Sequence, residues 1–590
     1  MAGNPFEQAF LKNREKLEKQ GLQVKKLERT DQWETDPKRV PMMYRAQVKE
    51  RCSLHNAKRD NQDLDKWTEE WVNPKKNREA KYQRSRPVLG QEGNFYRVEV
   101  EFPFRLFSNG GQDSIARPML GKDGIPFLPG SSVKGLFVRG CGSDQIGMDR
   151  VAKYCGGNVK KHGKMEHLPG SLPLRFHGAY PLGNWADRVV DLVHPQGNRQ
   201  VGTGDREERS TASALISLYQ PRMVFEFSCD AVVNWEEVRF ILMRGLEMGV
   251  GGKTSSGYGL GGGVAGQPAI SPRMGVSVLL EGSGVSSLLR DGTPEFRPNL
   301  FKAGLRGHLR RLLGGVDENK VGAETDRWFG NTKAPAAVKL LWHDREAVRF
   351  EDVGLKDRNP FYRVSGMLYA DIDKGKEYEQ DVALLEQVVR FAYVMGGFGK
   401  SWRRVWHEQF KPDYHKTKFA IGCHWTSSDW DEIQSVAQLK GFLNDLYGLC
   451  CGYLGKSESN VRSADWREAW NPKRVAVFCR VGNDSGAIGL FHDDVFKTTM
   501  AIGGKMPGDD RPTGISSVWH RMLPLKNGTE FLEIVTVFHT DRKPWSREGV
   551  DQLHPFIKAL QERKLVLCWG QLPAGEGPKK RIIAPIQRDR

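Results

Sequence analysis

The feature that most constrains this chain is an internal duplication. DGIPFLPGSSVKGLFVRG, Asp123 to Gly140, is followed much later by MGVGGKTSSGYG, Met248 to Gly259. DGTPEFRPNLFKAGLRGHLRR, Asp291 to Arg311, is followed in the same way by MGGFGKSWRRVW, Met395 to Trp406. In each copy a DG turn and a strand-like segment lead into a loop and a basic helix. In each copy a predicted helix (VRFILMRGLEM; ALLEQVVRFAYVM) then runs into a glycine-rich, lysine-bearing loop. Two occurrences in the same order predict two similar modules in tandem.

The strand-like alternation starts at FYRVEVEFPFRLF, Phe95 to Phe107. Residues 1–90 differ from the rest of the chain. They are crowded with charge (KNREKLEKQ, QVKKLERT, PKKNREAKYQRSR) and sparse in apolar residues, and they are expected to form a basic, partly helical or extended N-terminal arm. A first module is expected over 91–268 and a second over 269–590. Residues 412–590 mix strands (RVAVFCRVG, EFLEIVTVFHT, KLVLCWGQL) with the helical FIKALQERK. They either complete the second unit or make a small third one.

A chain of 590 residues with 39% hydrophobic content is long enough for two or three globular cores. It has no run of about 18 apolar residues, so no membrane span is expected. The N-terminus lacks an apolar signal core, and the nine cysteines show no disulfide-like rhythm. A reducing, cytoplasmic setting is expected. Lys and Arg total 89 against 72 acids, a net charge of +17 and a pI near 9.3. That surplus attracts polyanions over a Debye length of roughly 10 Å at 0.1 M salt, and nucleic acid is the first partner it suggests. Sixteen tryptophans accompany the charge. Arginine and aromatic rings together can bind phosphates and stack on bases.

The loop GVGGKTSSGYGLGGG, Gly249 to Gly263, ends one half of a nucleotide P-loop in Gly252-Lys253-Thr254. A P-loop needs glycine five residues before its Gly-Lys pair, and that position holds Glu247. A carboxylate there would face the phosphates, and the upstream segment reads as helix and not strand, so the residues disfavour nucleotide binding of that kind. Glycine lets backbone N–H groups come close to a phosphate chain, while lysine adds charge without reading bases. Such a loop suits a polynucleotide backbone. A tight turn packing a helix onto a sheet would use the same glycines.

GIPFLPGSSVKGLFVRG followed by GVGGKTSSGYG resembles the RAMP superfamily of CRISPR type III effector complexes. VVDLVHPQ, Val189 to Gln196, and PRMVFEFS resemble one RAMP branch. FRPNLFKAGLRGHLRRLLGG, WFGNTKAPAAVKLLW, GGFGKSWRRVW and GDDRPTGISSVWHRMLPL resemble another. A chain with two such units looks like the double backbone subunit of a type III-D variant complex. The likeness covers residues 95–410 well, 411–590 weakly and 1–90 not at all. It implies an α+β fold of two tandem ferredoxin-like (RRM-related) RAMP domains with insertions, preceded by the basic N-terminal arm. It implies a CRISPR guide RNA and complementary target RNA as partners. Other CRISPR effector subunits, namely neighbouring RAMP proteins and a large subunit, are implied as well.

Carried onto these positions, the resemblance assigns guide-RNA backbone binding to Ser131, Ser132, Lys134 and Arg139. The hydroxyl of Ser131 or Ser132 would open the following helix as an anion site. The second-unit counterparts are Asn299, Lys302, Arg306 and Arg310. Here Pro298-Asn299-Leu300-Phe301 replaces proline-glycine-serine-serine, and Asn299 takes the role of helix cap. The glycine loops contribute Lys253, Thr254, Ser255 and Tyr258, then Lys400, Arg403 and Arg404. A thumb is expected over 180–215, with Arg206 and Arg209 on duplex phosphate. Slicing members of the superfamily carry a loop aspartate upstream of the proline-glycine-serine-serine motif. Asp113 in SNGGQDSIARP is the candidate here, positioning Mg²⁺ or another divalent cation for in-line attack. By strict count the position holds Ala116, three residues later.

The function these residues suggest is a subunit that binds the guide backbone and positions the guide–target duplex, with target cleavage at one metal-dependent site. A structural RNA-binding scaffold without cleavage is the alternative. A metal-independent endoribonuclease trimming guide precursors is another, but it needs a histidine general base, and the fourteen histidines do not cluster around either loop.

Overall fold

The computed structural model describes residues 95–573 except 109–118, 120–125, 143, 162–163, 184, 186–189, 194–212, 262–274, 290–291, 332–333, 352–359, 374, 376, 412–420, 431, 504–515 and 527. The expected N-terminal arm, Asp113, Arg206 and Arg209 therefore lie outside the described residues. The described part is α+β, built from antiparallel sheets and helices.

The chain opens with β1 (Phe95–Glu101), α1 (Gly130–Cys141) and α2 (Gln145–Cys155). The hairpin β2 (Gly157–Lys161) and β3 (Lys164–Leu168) leads to β4 (Arg175–Leu182). A second hairpin, β5 (Val190–Val193) with β6 (Ser213–Ile216), forms the base of the segment expected to be a thumb. Its tip lies outside the described residues. β7 (Arg222–Ser228) and α3 (Trp235–Glu247) complete this part. The three long strands lie in the order β1-β7-β4. α3 starts cleanly because the Asn234 side chain accepts a hydrogen bond from the Glu237 N–H, with Glu236 and Glu237 at the positive end of the dipole.

The next part repeats this order. β8 (Val276–Val285) is followed by the short pair β9 (Ser287–Leu288) and β10 (Pro294–Glu295), then α4 (Asn299–Gly314) and α5 (Val321–Phe329). Then come β11 (Val338–Asp344), β12 (Arg349–Glu351), β13 (Phe361–Ile372), α6 (Tyr378–Met395), α7 (His407–Phe410) and β14 (Cys423–Thr426). The sheet order is β11-β13-β8-β14. β8 alternates as a half-buried strand must: Val276, Val278 and Leu280 face the helices, while Ser277 and Glu281 face out.

After α8 (Val436–Tyr453) comes a third sheet. It is formed by β15 (Val475–Gly482), the short helices α9 (Asp494–Lys497) and α10 (Met500–Gly503), β16 (Val518–Pro524) and β17 (Phe531–Phe538). The small pair β18 (Ser546–Arg547) and β19 (Val550–Asp551), α11 (Leu553–Glu562) and β20 (Val566–Gly570) close the described chain. Its order, β16-β17-β15-β20, matches that of the second sheet strand for strand. Among the described residues no strand of this sheet pairs with the second sheet, and the two share one continuous hydrophobic core.

Among the described residues six tryptophans are fully buried, five of them (Trp328, Trp342, Trp425, Trp470 and Trp519) in that core and Trp545 in a second cluster. Trp470 stacks on Trp519 and Trp569 at 5.5 and 5.3 Å. The sequence-based idea that these rings stand ready for bases is corrected. Large apolar rings are worth more to the fold in the gaps between three sheets than on its surface.

Candidate nucleic-acid interface

The glycine loop after α3 and the one after α6 have the same backbone. Left-handed φ recurs at alternate residues: Gly249 (81°), Gly251 (81°) and Lys253 (60°) in the first, Gly397 (97°), Gly399 (99°) and Ser401 (61°) in the second. The residues correspond at one constant offset. Gly249 therefore matches Gly397, and Lys253 matches Ser401 rather than Lys400. Aligning the two loops on their Gly-Lys pairs is off by one. Gly251 could carry no side chain, because a Cβ there would lie 2.2 Å from the Phe107 carbonyl oxygen. Both loops make the same joint to the next part of the chain. The Ser255 carbonyl accepts from the Leu340 N–H of β11 at 3.3 Å, and the Arg403 carbonyl accepts from the His520 N–H of β16 at 3.0 Å. β11 and β16 hold the same place in their sheets.

At the first seam these joints gather cations. Lys302, in the first turn of α4, donates to the Ser255 hydroxyl at 2.8 Å. Burial, and after it the neighbouring charges of Arg306 and Lys253, lower the Lys302 ammonium to about 8. Arg306 reaches Asp326 at 3.3 Å while remaining partly exposed. Lys253 sits at the exposed loop tip with its ammonium 5.4 Å from the Phe107 ring. Lys339 of β11 is also lowered, first by burial and then by the charge of Arg139. The seam is thus a place where positive groups from two parts of the chain crowd together, and a bound anion would relieve that crowding.

The remaining assigned residues divide. Ser131 and Ser132 are exposed in the first turn of α1, but neither caps it. The helix opens one residue earlier, at Gly130, where a Cβ would collide with the Phe176 carbonyl oxygen at 2.0 Å. The proline-glycine pair thus serves close packing on β4, and the two hydroxyls are left outward. Lys134 donates to the Cys155 carbonyl at 3.0 Å, and Arg139 to the Gly249 carbonyl at 2.7 Å, bracing the glycine loop. Asn299 is the first residue of α4, with Pro298 in the cap position, so its expected capping role is corrected. The Arg310 guanidinium lies 4.7 Å from the Trp466 ring.

Tyr258 is buried with its ring 5.3 Å from Phe107, so it is a packing residue and offers no stacking face. The Thr254 carbonyl accepts from the Gly257 N–H, and its methyl group packs on Gly249. Lys400 is exposed at the tip of the second loop. Its neighbours turn inward. Arg403 donates to Glu468 at 2.9 Å. Arg404 donates to the carbonyls of Val518 and Ile502 and to the Ser516 hydroxyl, at 2.8, 2.7 and 2.8 Å. The Arg404 guanidinium holds β16 of the third sheet and that of Arg403 holds the buried Glu468 ahead of β15, uses that a basic run in a glycine loop does not reveal.

The sequence reading also missed a histidine pair beside the second loop. The His407 Nε2 and His492 Nε2 atoms are 3.1 Å apart. Among the described residues no group of three or more His, Cys, Asp or Glu side chains gathers to hold a metal ion. The expected divalent-cation site at Asp113 lies outside the described residues. Among the described residues no helix is long and apolar enough to cross a membrane.

No family model matches the chain, and no curated protein matches it. Solved structures do. Cmr1 from Pyrococcus furiosus, in its apo form, is 16% identical over 50% of this chain and 98% of that one, with a TM-score of 0.32. A chain of the Type III-B Cmr-beta complex bound to cognate target RNA and AMPPnP is 11% identical over 49% of this chain and 98% of that one, TM-score 0.29. Cmr6 from Pyrococcus furiosus is 17% identical over 29% of this chain and 98% of that one, TM-score 0.17. At these TM-scores the likeness transfers no residue role.

Proposed function

We propose that this chain is an RNA-binding subunit of a type III CRISPR effector complex, and that a guide RNA backbone crosses the seam where Lys253, Lys302 and Arg306 meet. The observation that carries this reading is Lys302 of α4 donating to Ser255 of the glycine loop that carries the exposed Lys253, with the charge of Arg306 near enough to help lower the Lys302 ammonium, in a chain of net charge +17. Phosphates neutralise such a cluster, and counterions released from the RNA add to the affinity. In this reading the three sheets belong to ferredoxin-like modules. The second and third keep the full strand order and the first keeps three of its strands. Each glycine loop locks one module to the next, so its exposed tip stands at a fixed place along the row. Ser131, Ser132 and Lys400 offer further backbone contacts, while Tyr258, Arg403 and Arg404 are left out.

Complementary target RNA and neighbouring effector subunits are the partners this role requires. Cleavage of the target would fall to Asp113 with a divalent cation. The test is a titration of single-stranded RNA against the purified protein at several salt concentrations. Lys253→Ala with Lys302→Gln is expected to weaken binding and flatten the salt dependence by roughly 0.7 for each phosphate no longer neutralised. An unchanged slope rejects the seam as the RNA track.

The geometry of the histidine pair argues against precursor trimming there. The two rings point at one another at hydrogen-bond distance, which leaves no room for a scissile phosphodiester between them.

A further inference from the structure

Trp466 is not one of the buried tryptophans. It is half-exposed and lies at the end of α4, where the Arg310 guanidinium stands 4.7 Å from its ring centre. The segment that carries it is pinned along that helix by main-chain bonds. The N–H groups of Arg462, Ala464 and Trp470 donate to the carbonyls of Val316, Gly314 and Arg311 at 3.0, 2.7 and 2.9 Å. Glu468, two residues on, turns inward to Arg311 and Arg403. Gly314 leaves room for the indole, since a Cβ there would lie 2.6 Å from the ring. The ring is thus held in place on the helix with part of its surface open to solvent.

α4 connects this pair to the first seam. Lys302, Arg306 and Arg310 follow one another at four-residue spacing, which sets them along one side of the helix, and all three are half-exposed. From Lys302 to Arg310 the helix advances roughly 12 Å. The stripe therefore carries positive charge from the Ser255 hydroxyl, where Lys302 donates, to the Trp466 ring. Asp326 answers Arg306 at 3.3 Å, and Asp465, beside Trp466 in the chain, answers Arg474 at 3.5 Å. Arg467, on its other side, is half-exposed, and its Nε has no hydrogen-bond partner among the described residues.

We propose that Trp466 and Arg310 form a stacking site for an unpaired nucleobase, reached by an RNA strand whose phosphates follow Lys302, Arg306 and Arg310 along α4. An indole beside a guanidinium suits a nucleotide on both counts: the ring offers a π-face to the base, and the cation attracts the phosphate attached to it. Every base has a π-face, so the site holds a nucleotide without selecting its sequence. It rests on the reading of this chain as an RNA-binding protein and adds a base contact to the phosphate contacts of that reading.

In the experiment single-stranded RNA is titrated at several salt concentrations against the full chain, Trp466→Leu, Trp466→Phe, and Lys253→Ala with Lys302→Gln. Trp466→Leu is expected to weaken binding roughly 5- to 100-fold, one stacked base's worth. Its salt slope should stay unchanged, because no charge is lost. Trp466→Phe should keep most of the affinity. An unchanged denaturation midpoint verifies the fold of each variant. A readout on the unaltered protein needs no variant at all: irradiating bound RNA that carries 5-iodouridine should attach it to peptide 463–467, which holds Trp466. If folded Trp466→Leu binds as tightly as the full chain, if Trp466→Phe binds as weakly as Trp466→Leu, or if that peptide stays unmodified, this inference is overturned. The proposed function still stands in those cases when the lysine pair lowers the slope. If the lysine pair leaves the slope unchanged as well, both are overturned.

Discussion

Arg105 and Glu295 form a two-pronged ion pair across the first seam, Nε to Oε1 at 2.6 Å and Nη2 to Oε2 at 3.2 Å. Arg105 is 0% exposed and also donates to the Ser217 hydroxyl at 2.7 Å, while Arg297 donates to the same carboxylate at 2.6 Å. The pair ties the loop after β1 to β10. Breaking a buried pair by removing one partner costs about 3–5 kcal/mol, because the other charge stays buried alone. Arg105→Ala is therefore expected to lower unfolding stability by about that much. Arg105→Met with Glu295→Leu should recover most of the loss. Equal losses for the single and double variants in denaturant titrations would contradict the assignment.

Lys253 occupies a left-handed backbone position that favours glycine. Lys253→Gly should leave the denaturation midpoint unchanged or slightly raised, by up to about 1 kcal/mol. It should nevertheless weaken RNA binding. A lysine kept there only for packing would show no change in RNA affinity.

Lys302 gives the first seam a pH dependence. Its ammonium is lowered to about 8 by burial first and by Arg306 and Lys253 after it. Phosphate favours the charged form, so RNA affinity is expected to hold below pH 8 and fall as pH rises through 8 and above. Lys302→Arg should abolish that fall, since arginine stays charged. A pH profile that persists in Lys302→Arg would assign the effect elsewhere.

Glu468 gives the fold an acid limit. Burial alone would raise its carboxyl, but Arg403 and Arg311 outweigh it and hold the group at about 2, below its ordinary 4.5. A carboxyl depressed in the folded state contributes stability above its unfolded pKa, lost as pH falls through the folded one. Stability should therefore decline between about pH 4.5 and 2, more steeply than in Glu468→Gln with Arg403→Met. Identical acid profiles would remove Glu468 from the account.

Asp113 is the candidate for target cleavage. If it positions a divalent cation, Asp113→Ala and EDTA should each abolish cutting of guide-complementary RNA by the assembled complex while leaving RNA binding intact. Cutting that survives both would mark the chain as a scaffold at that position.

The duplication was legible because its punctuation is local. A DG turn, a basic helix and a glycine loop each need particular residues at fixed spacing, and both copies show them. The strands of the third sheet were legible too, from RVAVFCRVG and EFLEIVTVFHT. Their common order with the second sheet was not, because α11 runs into β20 through Arg563-Lys564-Leu565 with no glycine loop to mark the copy. The fate of single cations was the least legible. Lys400 and Arg403 are close neighbours in one basic run, yet one faces solvent and the other pairs with Glu468, far along the chain. Only the tertiary fold decides which arginine meets a buried acid. The same holds for His407 and His492, which nothing local brings together.

The most direct measurement is photo-crosslinking of bound single-stranded RNA to the whole protein, with the attachment sites read by mass spectrometry. The account predicts cross-links on the peptides that carry Lys253 and Lys302 to Arg306, abolished by competition with unlabelled RNA. Cross-links confined to other surfaces, with both of those peptides unmodified, would contradict it.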